Sequence, residues 1–449
     1  MKRIILLGSG LSATNLIKYI LEHSEEHDWH LSIGDINPEV PRQKVKGHHR
    51  ASVFHFDIFD DNLLKTSLQG ADVVISFLPA AFHPKVATAC LEARVHMITA
   101  SYVSKEIKLM HEEVQSAGLL FLNELGVDPG IDHMSAMKVI DEIRQKGGRM
   151  VSFKSSTGGL IAPEYDNNPW HYKFTWNPRN VVVAGQGVSQ FIRNGKYKYI
   201  PYHKLFDRLL YTDVLDYGTF EIYPNRDSLK YRETYGLHDI PTMFRGTMRR
   251  PGFSEAWNVF VQLGVTDDTY TLENSQNMTY RDFINAYLRY DPAMPVEDKL
   301  CKYLELDPEG EIMKKLTWLG IFENRKINMP HATPAQILQA LLEEKWALEP
   351  GDRDMIVMQH EFIYELSVKT RKITSSMVVF GKDQEETAMS ITVGTPVAIA
   401  VKLLLTGKID ITGVHIPVMP KLYDPILGEL SDLGIAFTDQ EEEVTEEFK

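Results

Sequence analysis

The sequence predicts an α/β protein, with an N-terminal Rossmann doubly wound parallel sheet and then a second α/β domain carrying a helical insertion. Three observations lead there. Short apolar runs alternate with amphipathic stretches along the first part of the chain. A glycine-rich turn, Gly8-Ser9-Gly10, closes the first of those runs. After Pro129 the texture changes to aromatics, Gly, Pro and Asn.

The apolar runs Ile4–Leu7, Leu31–Ile33, Val53–Phe56, Val73–Phe77, His96–Thr99 and Leu119–Leu122 read as short buried strands. Between them, Leu16, Ile17, Ile20 and Leu21 share one helical face, as do Val86, Ala89, Cys90 and Ala93. Strands and helices taking turns imply parallel pairing with right-handed crossovers. The first domain is placed at 1–128 and the second, for substrate binding and dimerisation, at 129–394. A helical part spans about 278–346, where Ile337, Leu338, Leu341 and Leu342 make one apolar stripe. Strand-like runs follow at Phe362–Val368 and Ser376–Val379. The segment from about 395 to 449 is expected to pack back onto the first domain. Within it, Thr395–Leu405 reads as an apolar helix with Pro396 in its first turn. The glutamate-rich end, Glu441–Lys449, reads as a solvated or frayed tail.

The 449 residues are 43% hydrophobic and 24% charged, ordinary for a globular chain. A formal net charge of -13 argues against nucleic acid or an anionic membrane as partner, since no broad basic field attracts phosphates. Two cysteines, Cys90 and Cys301, make no disulfide or metal pattern and point to a reducing, cytoplasmic setting. No stretch reaches the ~18 apolar residues that a membrane helix needs. Neither HExxH, nor paired Cys ligands, nor a phosphate-loop lysine motif, nor G-x-S-x-G occurs, so no metal is expected.

Gly8-Ser9-Gly10-Leu11-Ser12-Ala13 fits G-x-G-x-x-A, placed after a strand and opening a helix. In that context Gly8 permits the tight turn, and Gly10 lets a pyrophosphate approach the backbone at the helix N-terminus. Ala13 allows close helix–strand packing. Asp35 ends the second strand, where an acid bonds an adenosine ribose and repels a 2′-phosphate, so NAD is favoured and NADP is possible. Arg42 and Lys44 downstream soften that preference. Leu78-Pro79 and Ser101-Tyr102 follow the fourth and fifth strands, at the sheet edge where such folds bind ligands.

Asn123–His133 concentrates chemistry after the sixth strand. Asp128 is expected to cap the next helix, with Pro129 at its first position, and also to lie near the cofactor. Asp132 and His133 are read as helix-start and packing residues. Beyond them, Arg179, Arg226, Arg245 and Arg249 lie in segments read as loops. Each suits either a structural ion pair or a bidentate grip on a carboxylate. Several together in an acidic chain favour a small polyanionic substrate.

These motifs, in order, resemble the glutamate-forming saccharopine dehydrogenases. The likeness is carried by Ser101-Tyr102-Val103, Asn123–His133, Gly158-Gly159 with Ala162-Pro163-Glu164, Asn168-Pro169, Tyr172-Lys173-Phe174, Tyr223–Ser228 and Arg245-Gly246-Thr247. It implies NAD(P)-dependent interconversion of saccharopine with L-glutamate and 2-aminoadipate 6-semialdehyde in lysine metabolism. It also implies a homodimer, with Tyr102 and Asp128 at the reacting centre and Ser101, Arg226, Arg245, Gly246 and Thr247 binding substrate. Two departures from the fungal pattern stand out: Thr157 replaces a cysteine, and Asp35-Ile36-Asn37 replaces an Arg-Thr-type loop. The alternatives are an imine reductase of the carboxynorspermidine dehydrogenase type and a non-catalytic nucleotide sensor.

Overall fold

The structure is a computed structural model that describes residues 1–444. The chain folds as two compact units: Met1–Arg149 with Met377–Thr438, and Met150–Ser376 with residues 439–444. The expected boundary at 128/129 therefore falls inside the first unit. Of the segment expected to return, about 395–449, residues 395–438 lie in the first unit and 439–444 in the second.

In the first unit, β1 (Lys2–Leu7), β2 (Trp29–Asp35), β3 (Ala51–His55), β4 (Val73–Ser76), β5 (His96–Ile98) and β6 (Leu120–Leu122) form one sheet. Their order is β6-β5-β4-β1-β2-β3, and the Gly413–His415 strand adds beyond β6. Every pairing is parallel. The order reverses between β1 and β4, which is the switch point where doubly wound sheets take their ligands. Ile4 to Leu7 and Val73 to Ile75 are fully buried, as strands covered by helices on both faces must be.

Two expectations about the C-terminal segment need correction. The apolar helix begins at Ala388, not Thr395, and runs to Leu405 with Pro396 in its middle. Thr387 caps it by accepting a hydrogen bond from Ser390 N (3.0 Å), so a Thr/Ser-rich stretch that reads as loop is helix. The helix has 18 residues and enough apolar character to cross a membrane by length and composition, contrary to the sequence reading. Two-thirds of that window (67%) is buried inside the protein, where it packs as a core helix.

Gly394 sets how closely this helix lies. A Cβ there would come within 2.9 Å of both Leu16 N and Ser12 O. Asn15 N donates to Ser390 Oγ (3.0 Å) and Lys18 pairs with Glu386 (2.7 Å) on the same seam. The helix after the glycine turn is thus braced by sequence nearly four hundred residues away.

The second unit is built on a mixed sheet. Its strands are β7 (Arg149–Ile161), β8 (Val188–Arg193), β9 (Lys196–Pro201), β10 (Leu210–Asp213), β11 (Thr219–Pro224), β12 (Thr242–Arg249), β13 (Asp354–Leu366) and β14 (Lys369–Phe380). The order is β10-β11-β12-β7-β13-β14, with β8 pairing β12 and β9. Helices Tyr280–Asn285, Val296–Leu304, Glu311–Leu319 and Pro334–Lys345 fill the stretch read as helical. Beyond β14 the sheet gains Thr438–Glu443, which takes in Glu441–Glu443 of the segment expected to fray. Its acids are matched by bases on β14: Lys369 to Glu443 (2.7 Å), Arg371 to Glu441 (2.7 Å) and Lys372 to Glu442 (2.8 Å). Cross-strand charge complement, invisible in a local reading, orders it. Of that expected tail, residues 445–449 lie outside the described residues.

Candidate active site

The glycine turn lies at the carboxyl end of β1. Gly8 has φ +87°, and a Cβ would sit 2.8 Å from Phe77 O, so only glycine fits. Around the Cβ position of Gly10 there is open space within 4 Å, the room a pyrophosphate needs. Leu11–Ala13 forms one 3-10 turn before the helix Thr14–Glu22, and Ala13 is fully buried. Gly8, Ser9, Gly10, Leu11, Ser12 and Ala13 therefore make a cradle that fits a dinucleotide. Leu78 and Pro79 follow β4 at the same edge, half-buried and exposed respectively.

Asp35 is tied into this turn. Its Oδ2 accepts from Ser9 N (2.8 Å) and Ser9 Oγ (2.6 Å), and its Oδ1 accepts from Asn37 N (3.0 Å). Lys44 closes the turn from the other side, donating to Ser9 O (2.7 Å) and Gly10 O (2.5 Å). Burial pulls the Lys44 ammonium down to about 8, against the pull of Asp35 and Glu385. The sequence named Lys44 only as a neighbour; its grip on two carbonyls depends on how the helix Glu39–Val45 folds back.

Ser101, Tyr102 and Asp128 gather at the same carboxyl edge, after β5 and β6. Tyr102 Oη donates to Asp128 Oδ1 at 3.4 Å, and the tyrosine is 43% exposed. Beneath them is His83, which sequence reading passed over. Its Nε2 lies 2.8 Å from Ser101 Oγ and its Nδ1 lies 2.8 Å from Ser76 Oγ. Burial pushes the imidazole down to about 4, so it is neutral near pH 7, one nitrogen donating and the other accepting. A histidine opening a helix after Leu78-Pro79 is the only trace of this in the sequence.

Contrary to expectation, Asp128 does not cap the following helix and Pro129 is not its first residue. That helix is Ile131–Gln145 and its cap is Gly130. Gly126 N donates to Pro129 O (2.8 Å) and Ile131 N to Gly126 O (2.9 Å), folding 126–130 into a tight turn ahead of the helix. Gly130 is obligatory there, since a Cβ would lie 2.1 Å from Gly126 O. Asp132 serves the helix start instead, accepting from Gly130 N at 2.6 Å. Asp128, displaced from the helix start, accepts from Tyr102. His133 is fully buried and sits 2.7 Å from Glu124 Oε2, while Glu124 Oε1 accepts from Val103 N (3.1 Å). That link fastens the Tyr102 segment to the Asp128 segment.

In the second unit the arginine motif is not a loop. Arg245, Gly246 and Thr247 lie within β12, in register with Ser155, Ser156 and Thr157 of β7. Strand is possible because Gly246 makes room for Ile222, whose Cγ2 would lie 2.3 Å from a Cβ there. The Arg245 guanidinium stacks 4.0 Å over the Tyr231 ring. Thr247 Oγ1 donates to Asn225 Oδ1 (2.7 Å) and Asn225 N to Arg245 O (2.8 Å), which sets Arg226 beside them, exposed. Other expected loop residues prove structural. Lys173 is buried against Asp352 (2.7 Å), and Arg179 pairs with Asp268. A separate open groove of about 480 Å³, lined by Phe206, Tyr211, Asn258 and Leu304 among others, includes none of the predicted site residues.

A parallel sheet of this strand order, with a glycine cradle at its switch point, defines a dinucleotide-binding α/β protein. Residues 4–122 match the saccharopine dehydrogenase NADP binding domain, and residues 126–435 match the saccharopine dehydrogenase C-terminal domain. The chain is 33% identical over 444 residues to the saccharopine dehydrogenase [NADP(+), L-glutamate-forming] of Saccharomyces cerevisiae, covering 96% of this chain and 97% of that one. It is 31% identical to the protein of the same name from Schizosaccharomyces pombe, over the full length of both. The apo structure of the Saccharomyces cerevisiae enzyme superposes with a TM-score of 0.89 at 32% identity, covering 98% of this chain and 100% of that one. This chain belongs to the saccharopine dehydrogenase family.

Proposed function

We propose that this chain oxidises saccharopine at its secondary amine, reversibly, releasing L-glutamate and 2-aminoadipate 6-semialdehyde. The observation that carries the reading is the Tyr102–Asp128 pair at the same sheet edge as the Gly8–Ala13 cradle. Family membership and the activity for which the yeast relatives are named support the substrate. A bound nicotinamide supplies the hydride acceptor. Oxidation removes a hydride from the carbon that becomes the aldehyde and a proton from the nitrogen. Water then adds to the C=N bond, and cleavage of the C–N bond leaves the amine on glutamate. Tyr102 and Asp128 hold and move protons at that nitrogen and at the hydrated carbon. Ser101, Arg226, Arg245, Gly246 and Thr247 bind the substrate, the arginines through its carboxylates.

For the cofactor, NAD is proposed over NADP, because the Asp35 carboxylate is anchored by Ser9 where a 2′-phosphate would approach. The opposing reading has support of its own: the yeast relatives are named for NADP(+), and the Lys44 ammonium stands at the same turn. A cytoplasmic homodimer is proposed as the working form; Cys90 and Cys301 are buried free thiols, in keeping with a reducing compartment. The deciding experiment mixes purified protein with saccharopine and either NAD+ or NADP+ and follows absorbance of the reduced nicotinamide. Reduction with stoichiometric glutamate supports the reading, and the faster cofactor decides between NAD and NADP. No reduction of either removes saccharopine as substrate.

A further inference from the structure

Tyr102 is 43% exposed, so packing alone does not fix it, and its 3.4 Å bond to Asp128 lies at the long end of the hydrogen-bonding range. The residues on either side of it are held by a single neighbour. Glu124 N donates to Ser101 O (3.0 Å), and Glu124 Oε1 accepts from Val103 N (3.1 Å). Backbone and side chain of one residue thus bracket Tyr102. The other carboxylate oxygen, Oε2, lies 2.7 Å from His133 Nε2 on the helix Ile131–Gln145. Asp128 leads into that helix through the turn in which Gly126 N donates to Pro129 O (2.8 Å) and Ile131 N to Gly126 O (2.9 Å). Both halves of the Tyr102–Asp128 pair are therefore tied to the same carboxylate.

The local backbone shows that the side chain matters here, not only the turn. Glu124 has φ 59°, a left-handed conformation that glycine or asparagine adopts at less cost than glutamate. It is also only 7% exposed, and a buried carboxylate is costly unless its oxygens are met. A turn that needed shape alone would be served by glycine. With glutamate, both costs are offset by the bonds made to Val103 and to the fully buried His133. Length is part of the fit. The side chain reaches an amide with one oxygen and an imidazole with the other, and one a methylene shorter has to give up a partner or shift the backbone.

We propose that Glu124 is a positioning residue for the reaction, which sets Tyr102 against Asp128 by bracketing it at Ser101 and Val103, with His133 holding the carboxylate in place. The proposal rests on the function proposed above for the role of Tyr102, and Glu124 acts through that residue without carrying a proton itself.

The test is steady-state kinetics of saccharopine oxidation by the full chain with Glu124→Gln and Glu124→Asp, each also in a Tyr102→Phe background. Glu124→Gln keeps the reach and an oxygen for Val103 N. Glu124→Asp keeps the carboxylate and tolerates the left-handed backbone but falls short. The expected result is a kcat lowered about 10- to 100-fold by Glu124→Asp and less than about threefold by Glu124→Gln. The dinucleotide KM stays within about twofold in both. In the Tyr102→Phe background Glu124→Asp costs less than about threefold, because the group it positions is gone. The same fold-loss from Glu124→Asp in both backgrounds overturns the proposal, as does a kcat that Glu124→Asp leaves unchanged or that Glu124→Gln lowers as far. Should Glu124→Asp fail to fold in a thermal melt, Glu124→Gln decides alone: near-wild-type kcat supports the proposal, and a loss of about tenfold or more overturns it. A wild-type chain that does not turn over saccharopine counts against the proposed function, not the bracket. Hydrogen–deuterium exchange of the Val103 amide then decides. Exchange about tenfold faster in Glu124→Asp than in wild type and Glu124→Gln supports the bracket, and equal rates overturn it.

Discussion

His83 Nε2 lies 2.8 Å from Ser101 Oγ, and the same ring reaches Ser76 Oγ through Nδ1 at 2.8 Å. A neutral imidazole thus joins the end of β4 to the residue before Tyr102. The folded-state value of about 4 is below the ordinary 6.5, so between those values the unfolded chain binds more protons. His83 therefore contributes stability that is complete above pH 6.5 and is lost as pH falls toward 4. The full difference is about 3 kcal/mol by linkage. His83→Leu is expected to flatten denaturant-measured stability across that window and to lower kcat/KM about tenfold by leaving Ser101 unheld. A variant whose stability keeps the wild-type pH slope would remove His83 as its source.

Lys44 predicts a pH dependence of cofactor binding with the opposite sense. Its ammonium titrates near 8, and the charged form favours an anionic dinucleotide. Affinity is expected to fall as pH rises through that value. Lys44→Met should bind about tenfold more weakly at pH 7 and show no such fall. Fluorescence titration at several pH values reads both effects. Asp35→Ala, in the same titrations, is expected to shift the NADP-to-NAD preference at least about tenfold toward NADP; an unchanged ratio takes Asp35 out of cofactor choice.

Tyr102→Phe and Asp128→Asn keep shape and remove the groups proposed above to carry protons. Each is expected to lower kcat by about 10²- to 10⁴-fold with dinucleotide affinity preserved. The double variant should lose little more than the worse single one, because the two share a hydrogen bond. Independent, multiplicative losses would show that they act at separate steps.

Gly394→Ala tests the bracing of the glycine turn by a distant helix. The added methyl meets Leu16 N and Ser12 O at 2.9 Å, both backbone atoms that cannot swing aside. A loss of about 1–3 kcal/mol is expected in chemical denaturation, with weaker dinucleotide binding beside it. Wild-type stability together with wild-type affinity would mean that the seam yields without cost.

Much of the first unit was legible because its signals are local. Each buried strand is a short apolar run, and a parallel sheet automatically places the residues after β1, β4, β5 and β6 on one edge. Hence Gly8–Ala13, Leu78, Ser101 and Tyr102 could be located before any coordinates, and Asp128 could be placed at the edge though not in its turn. His83 was missed because a histidine on an apolar helix carries no sign of the two serines that flank it in space.

By itself, then, the sequence determined the strand–helix rhythm, the glycine cradle and which residues end each strand of the parallel sheet, all consequences of periodicity and backbone conformation within a few residues. Tertiary structure decided the rest. It put Arg245 and Arg249 on a strand, paired the acidic 438–443 segment with basic β14, and started the Ala388–Leu405 helix early enough for Gly394 to reach Leu16. Those outcomes depend on partners far along the chain, whose packing and charge outweigh the weak local preferences of Arg, Thr, Ser and Glu.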